Sequence, residues 1–263
     1  MTDAGSRNSW YNIDIMIRTV LVVLFLLLFF FVSIPLLVAE WLVSLFKPGF
    51  RRRRFVFAFV QAGFRGIMFL SGVRLTVIGK ERLPKDEAAL YIGNHQSYFD
   101  VVLAYGLMPG LTGFIAKDSL LKIPVLSSLM RYMNCLFLDR NDIRQGMQTI
   151  LSAIDLVKEG ISVCIYPEGT RNNNPDELME FHKGSFKIAQ RTNCLIVPVA
   201  VVNTRNIFEA HVPFIKSVPV ILEYGTPFRF SDLSAEEQKA VHTHTAGLIA
   251  QTCRKNRAQL TVS

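Results

Sequence analysis

Between Arg18 and Glu40 the chain carries 21 consecutive residues without a charge, dominated by Leu, Val and Phe. Coiled as a helix, such a run measures about 31 Å, the thickness of a bilayer's hydrocarbon core. A signal peptide would need an apolar stretch of only about 7–15 residues followed by a small-residue cleavage site. This run is longer and has no convincing site, so residues 19–39 are expected to be embedded in a membrane. Ser33-Ile34-Pro35 is a place where that helix can kink.

A second hydrophobic stretch, residues 55–72, has a different pattern. Gln61 and Arg65 lie four apart and share one narrow face with Ala58, Met68 and Gly72, while Phe and Val residues cover the rest. An interfacial or half-inserted helix fits that pattern. The alternative is a core helix of the domain that follows, because short apolar helices are ambiguous by periodicity.

Charge singles out the same region. Lys47, Arg51, Arg52, Arg53, Arg54, Arg65 and Arg74 place seven cations over residues 47–74 with no acid among them, out of a net charge of +8. A basic belt beside a membrane segment points to anionic lipid headgroups and away from nucleic acid. By the positive-inside rule it also puts the end of the first helix in the cytoplasm. Half the residues are hydrophobic and only 19% are charged, which excludes intrinsic disorder. The four cysteines, Cys135, Cys164, Cys194 and Cys253, form no C-x-x-C pair. They read as reduced, buried small hydrophobes, not as a disulfide framework or zinc site.

From residue 75 onward, short β-rich runs alternate with helical ones. Strands are expected at 75–79, 88–93, 113–116, 135–139, 162–167, 195–203 and 218–224. Helices are expected at 100–105, 125–132, 143–159, 183–191 and 235–255. Strands separated by helical crossovers imply an α/β domain with a mixed or largely parallel sheet flanked by helices. The expected division is a membrane-anchoring helical pair over residues 1–74 and an α/β domain over 75–263.

Function in such folds usually sits at strand-to-helix crossings. The first crossing is Gly93-Asn94-His95-Gln96-Ser97-Tyr98-Phe99-Asp100. A turn into a new helix can bring Asp100 back to the His95 ring, and a carboxylate that fixes one imidazole tautomer leaves the other nitrogen free to act as a base. The same residues also read as a helix capping box, and the two roles can coexist. The second crossing is Tyr166-Pro167-Glu168-Gly169-Thr170-Arg171, where glycine permits a tight turn and arginine offers a fork suited to phosphate. Lys117 and Arg140 stand at two further strand ends as candidate cations.

Asn94 through Asp100 resembles the N-H-x4-D signature of the glycerolipid acyltransferases, the lysophosphatidic acid acyltransferase family. Three more blocks of that family follow in order. They are Lys117 through Ile123-Pro124 to Phe137-Leu138-Asp139-Arg140, then Tyr166 to Arg171, then Ile196-Val197-Pro198-Val199. The family-like stretch Phe181-His182-Lys183-Gly184-Ser185-Phe186 follows the third block in the chain. The resemblance covers about residues 75–225 and departs only slightly, with Tyr166 where Phe is frequent and Asn172 where Ser is common.

The resemblance implies a glycerolipid-acyltransferase-like fold and an acyl transfer in phospholipid biosynthesis. His95, oriented by Asp100, would deprotonate the sn-2 hydroxyl of lysophosphatidic acid. That oxygen would attack the thioester of acyl-CoA or acyl carrier protein, giving phosphatidic acid. Glu168, Gly169, Thr170 and Arg171 would bind the glycerophosphate, with Lys117 and Arg140 adding positive potential and Lys183-Gly184 shaping the pocket. No G-x-S-x-G elbow is present, which favours direct transfer. No metal or redox cofactor is implied. Two rival readings are a same-family enzyme for another lysolipid, a lyso-aminolipid or glycerol-3-phosphate, and a non-catalytic membrane protein that binds anionic lipid.

Overall fold

The computed structural model describes the backbone over residues 3–44 and 50–262, and side chains over residues 12–42 and 54–261. Lys47 and the side chains of Arg51, Arg52 and Arg53 lie outside the described residues. Two long helices, α1 (Asp3–Ser44) and α2 (Phe50–Ser71), come first. The remainder reads β1 (Arg74–Ile78), β2 (Ala89–Gly93), α3 (Tyr98–Leu107), β3 (Thr112–Lys117), α4 (Pro124–Tyr132), β4 (Leu136–Leu138), α5 (Ile143–Lys158) and β5 (Ser162–Ile165). After these come α6 (Lys187–Thr192), β6 (Leu195–Val202), β7 (Pro219–Tyr224), β8 (Phe228–Arg229), α7 (Ala235–Lys239) and α8 (Val241–Val262).

The sheet runs β1-β7-β6-β2-β5-β3-β4, with β8 on the flank of β6. Every pair is parallel except β6 with β7 and β6 with β8, so the sheet is mixed, as the alternating pattern implied. Strand alternation separates two cores. Ala89 and Tyr91 of β2, with Val197, Val199 and Val201 of β6, face the layer made by α1 to α4. Leu90 and Ile92, with Ile196, Ala200 and Val202, face α5, α6 and α8. That two-residue period is the pleat itself, and burial on both faces is what a parallel sheet covered by helices requires.

Three local expectations shift. The helix after His95 starts at Tyr98, two residues before the expected start, because Ser97 caps it. The expected helix over 235–255 divides at Ala240 into α7 and α8, and the two-residue strand β8 carried no readable pattern. All four cysteines are free and buried.

Helix α1 continues through Pro35 to Ser44. Its window Asn12–Leu42 and the window Arg54–Ser71 of α2 are each long and apolar enough to cross a membrane, and only 11% of the first is buried. The chain is accordingly membrane-associated. The helices lie close because glycines admit aromatic rings. A Cβ on Gly63 would stand 2.4 Å from Phe29, and one on Gly66 would stand 2.5 Å from Phe25. The polar face of α2, expected to be interfacial, turns instead onto α3. Gln61 Nε2 donates to the carbonyls of Tyr105 and Met108, and Arg65 Nε donates to the carbonyl of Gly106 at 2.9 Å. These groups satisfy carbonyls that the end of a helix leaves open.

Candidate active site

Strands β6, β2, β5, β3 and β4 are neighbours and mutually parallel, so their C-terminal ends share one edge of the sheet. The crossings that carry His95, Glu168, Lys117 and Arg140 all leave from that edge. Residues up to 76 positions apart, from His95 to Arg171, are gathered by topology.

The His95 loop is fixed from below. Asn94, fully buried, exchanges two hydrogen bonds with the backbone of Val201, its Nδ2 donating at 2.9 Å and its Oδ1 accepting at 2.8 Å. Ser97 caps α3, its Oγ accepting from the Phe99 N–H at 3.0 Å, with Asp100 completing the capping box. Asp100 Oδ2 accepts from the backbone N–H groups of Gln96 and Ser97 at 2.6 and 2.7 Å, and Oδ1 accepts from Thr204 Oγ1 at 2.5 Å. His95 Nδ1 lies 2.9 Å from Oδ2. An ionised carboxylate has only acceptors to offer, so the hydrogen sits on Nδ1 and Nε2 is left as the acceptor. Cap and imidazole partner are one side chain.

Tyr166 stacks on the imidazole, with ring centroids 4.4 Å apart and planes within 16°. Burial holds its phenol well above the usual tyrosine value, so it remains neutral. The ring needs Gly93 beneath it, since a Cβ there would stand 2.8 Å from Tyr166 Cε1.

Glu168 is buried behind the loop. Its Oε1 accepts from the His95 backbone N–H at 2.8 Å and its Oε2 from the Met179 N–H at 3.1 Å, while the Asn172 N–H donates to the His95 carbonyl at 2.7 Å. Burial raises its carboxyl above the usual range, and those N–H donors pull it partly back. With both oxygens occupied by backbone, Glu168 is placed to hold the loop. Gly169, at φ +72°, closes a turn by donating to the Tyr166 carbonyl at 3.0 Å. A Cβ there would stand 3.1 Å from His182 Nε2 and 3.9 Å from Arg140 Nε, so both bases gather around the turn. Thr170 is exposed beside them.

Arg171 sits at the start of α3. Its guanidinium lies 3.8 Å over the Tyr98 ring and donates to Glu209 Oε1 at 3.3 Å. Glu209 also accepts from Ser97 Oγ at 2.6 Å and from the Tyr98 N–H at 2.7 Å. Lys117 is exposed at the end of β3, in register with Leu138, two residues before Arg140. Lys183 and Gly184 face solvent. Among the described residues, no three His, Cys, Asp or Glu side chains group so as to hold a metal ion.

Thr204 and Glu209 carry no signal in the sequence that would single them out, and Asn94, though it opens the N-H-x4-D block, has no role that the block by itself reveals. Asn94 adjoins His95, but only the β2–β6 pairing shows its purpose. Thr204 lies 104 residues from Asp100, and Glu209 lies 112 from Ser97 and 38 from Arg171, so no local pattern marks them.

Residues 74–202 match the acyltransferase family model. The chain is 32% identical over 169 residues to the 1-acyl-sn-glycerol-3-phosphate acyltransferase of Borreliella burgdorferi, covering 64% of this chain and 67% of that one. It is 31% identical over 178 residues to the chloroplastic 1-acyl-sn-glycerol-3-phosphate acyltransferase LPAT1 of Arabidopsis thaliana, covering 67% of this chain and only 49% of the plant protein. The crystal structure of the 1-acyl-sn-glycerophosphate (LPA) acyltransferase PlsC from Thermotoga maritima shares the fold, with a TM-score of 0.73 at 24% identity, covering 92% of this chain and 98% of that one. The matched family region contains β1 through β6, and with them the His95 loop and the turn at Glu168 to Arg171. The chain belongs to the acyltransferase family that includes the 1-acyl-sn-glycerol-3-phosphate acyltransferases.

Proposed function

We propose that this enzyme acylates the sn-2 hydroxyl of lysophosphatidic acid with an acyl thioester, yielding phosphatidic acid. The observation that carries the reading is the His95–Asp100 pair. A buried carboxylate accepting from two backbone N–H groups and one hydroxyl holds the imidazole by Nδ1 and leaves Nε2 as the base. Nε2 takes the proton of the acceptor hydroxyl as its oxygen bonds to the thioester carbonyl carbon. The carbon–sulfur bond then breaks, and the leaving thiolate recovers the proton from His95. The donor is acyl-CoA or the acylated form of acyl carrier protein, and no further cofactor enters this chemistry.

The acceptor phosphate is assigned to Arg171, Thr170 and the Gly169 turn, with Arg140 and Lys117 supplying positive potential. An arginine fork suits a phosphate better than a lysine point charge, and Arg171 is already oriented by Tyr98 and Glu209. Glu168 supports the loop from behind. Residues 1–74 are the proposed membrane-anchoring module, docked on anionic lipid by the basic belt, and 75–263 the proposed catalytic domain on the cytoplasmic face.

The test is to incubate purified enzyme with a panel of lysolipids and acyl donors and read products by mass spectrometry. Phosphatidic acid should dominate, and His95→Ala should lose about 10²–10⁴-fold in kcat with the fold retained. Near-normal turnover in the folded variant would sink the mechanism, and preference for a lysolipid with a larger headgroup would reassign the acceptor.

A further inference from the structure

The connection between β6 and β7, residues 203–218, runs from the active site to the membrane helices. At its start Thr204 donates to Asp100, and Glu209 accepts from Ser97, Tyr98 and Arg171. At its end the Ile215 N–H donates to Thr19 Oγ1 at 2.9 Å, and Ser217 Oγ donates to the Gly72 carbonyl at 2.5 Å. Thr19 is the first residue of the uncharged run of α1, and Gly72 follows the last turn of α2. The base of the connection is anchored by Ile207 and Ile215, both in the core.

Its tip is different. The Phe214 N–H donates to the His211 carbonyl at 2.8 Å, which closes a tight turn over residues 211–214. On that turn Val212 is 63% exposed and Phe214 is 44% exposed. A pair of large apolar side chains held out on a hydrogen-bonded turn is more stable in an apolar phase than in water. The neighbouring helix surface offers one. Val20, Val23 and Leu24 of α1 are exposed just beyond Thr19, and Phe69 of α2, three residues before Gly72, is 82% exposed. Lys216 flanks the tip with a cation suited to headgroups, while burial and the nearby Lys216 hold His211 below the usual histidine value, so the tip carries that ring neutral.

We propose that the turn over residues 211–216 is a second bilayer contact. Val212 and Phe214 enter the boundary between headgroups and acyl chains beside Thr19, and the same segment holds Tyr98, Arg171 and the His95 loop at headgroup depth. The occupant is lipid and not a protein, because the Ile215 hydrogen bond to Thr19 joins the turn to the point where the apolar run of α1 begins. The proposal rests on the membrane association of α1 and extends it to a surface that lies more than 160 residues away in sequence.

The full chain, reconstituted in phosphatidylcholine–phosphatidylglycerol vesicles, supplies the test. Phe214→Cys is labelled with an environment-sensitive fluorophore; the four native cysteines are buried and leave the label specific. Glu236→Cys on the exposed face of α7 is the control. The label at 214 should shift to the blue and be quenched by lipids brominated near the carbonyl, and the label at 236 should do neither. The double variant Val212→Ser with Phe214→Ser should lose at least about fivefold in kcat/KM on vesicle-borne acceptor and keep its activity on a short-chain, water-soluble acceptor. A polar, unquenched label on enzyme that floats with the vesicles overturns the contact and leaves the α1 anchor standing. Failure to float overturns both. Equal loss on the two acceptors makes the turn a structural element and overturns the docking role.

Discussion

Asp100 shows how one carboxylate can serve stability and chemistry together. It completes the cap of α3, accepts from two loop N–H groups and Thr204, and still faces the imidazole. Glu168 works the same loop from the opposite side, and its position separates two roles that sequence alone leaves merged. A group that touches the acceptor would change acceptor KM when replaced. A group that shapes the His95 backbone would change kcat. Glu168→Gln puts an amide donor against a backbone N–H, a mismatch costing about 1–3 kcal/mol. We expect kcat to fall roughly tenfold, with both KM values nearly unchanged, measured by steady-state kinetics on each substrate. The variant also has a pH signature. Burial raises the folded-state value of Glu168 above its unfolded one, so its protonated form favours folding. That contribution is complete below the ordinary carboxylate value and is lost as pH rises through the folded value. Thermal melts should therefore show the parent gaining stability relative to Glu168→Gln as pH is lowered.

Helix α2 joins the two halves of the chain. Its outer residues Phe55 and Phe69 are exposed, while Val56, Phe57 and Val60 enter the core beneath α3. Gln61 and Arg65 use the polar stripe to satisfy carbonyls at the far end of α3, the helix whose first turn carries Asp100. Their spacing is visible in the sequence, but its partner is not, because a polar stripe fits water, headgroups or a helix end equally well. Arg65→Met should strip the Gly106 carbonyl of its charged donor and cost about 1–3 kcal/mol. The expected result is a melting point several degrees lower in detergent, with acceptor and donor KM preserved. An unchanged melting point would mean that water replaces the arginine without loss.

The acceptor carries a long acyl tail, so the enzyme must work where the tail is already solvated by lipid. In the proposed docking, the exposed apolar face of α1 and the arginine cluster that opens α2 would provide for that together. Basic residues near an anionic surface contribute about 1 kcal/mol each. Replacing Arg51, Arg52, Arg53 and Arg54 together by Gln should weaken activity on anionic vesicles, with the loss shrinking at high salt as the wild-type attraction is screened. Activity on a short-chain, water-soluble acceptor should survive. The ratio of the two activities in parent and variant is the measurement, and an unchanged ratio would reduce the cluster to a topology signal.

Features written in neighbouring residues are legible from the amino-acid sequence by itself. The apolar run at 19–39 exceeds what a soluble helix needs, the change after residue 75 to short β-rich runs alternating with helical ones announces an α/β domain, and the His95-to-Asp100 spacing fits a turn into a helix. Each is a local pattern, and local geometry follows from local pattern. The order of the strands decided the rest. Because β6, β2, β5, β3 and β4 lie side by side and parallel, Thr204, Asp100, Glu168 and Arg140 arrive at one edge, and Glu209 reaches back to Arg171 and α3. No spacing rule relates residues 38 to 112 positions apart. Such contacts arise when burial of both sheet faces selects one strand order, and only the folded chain carries that selection.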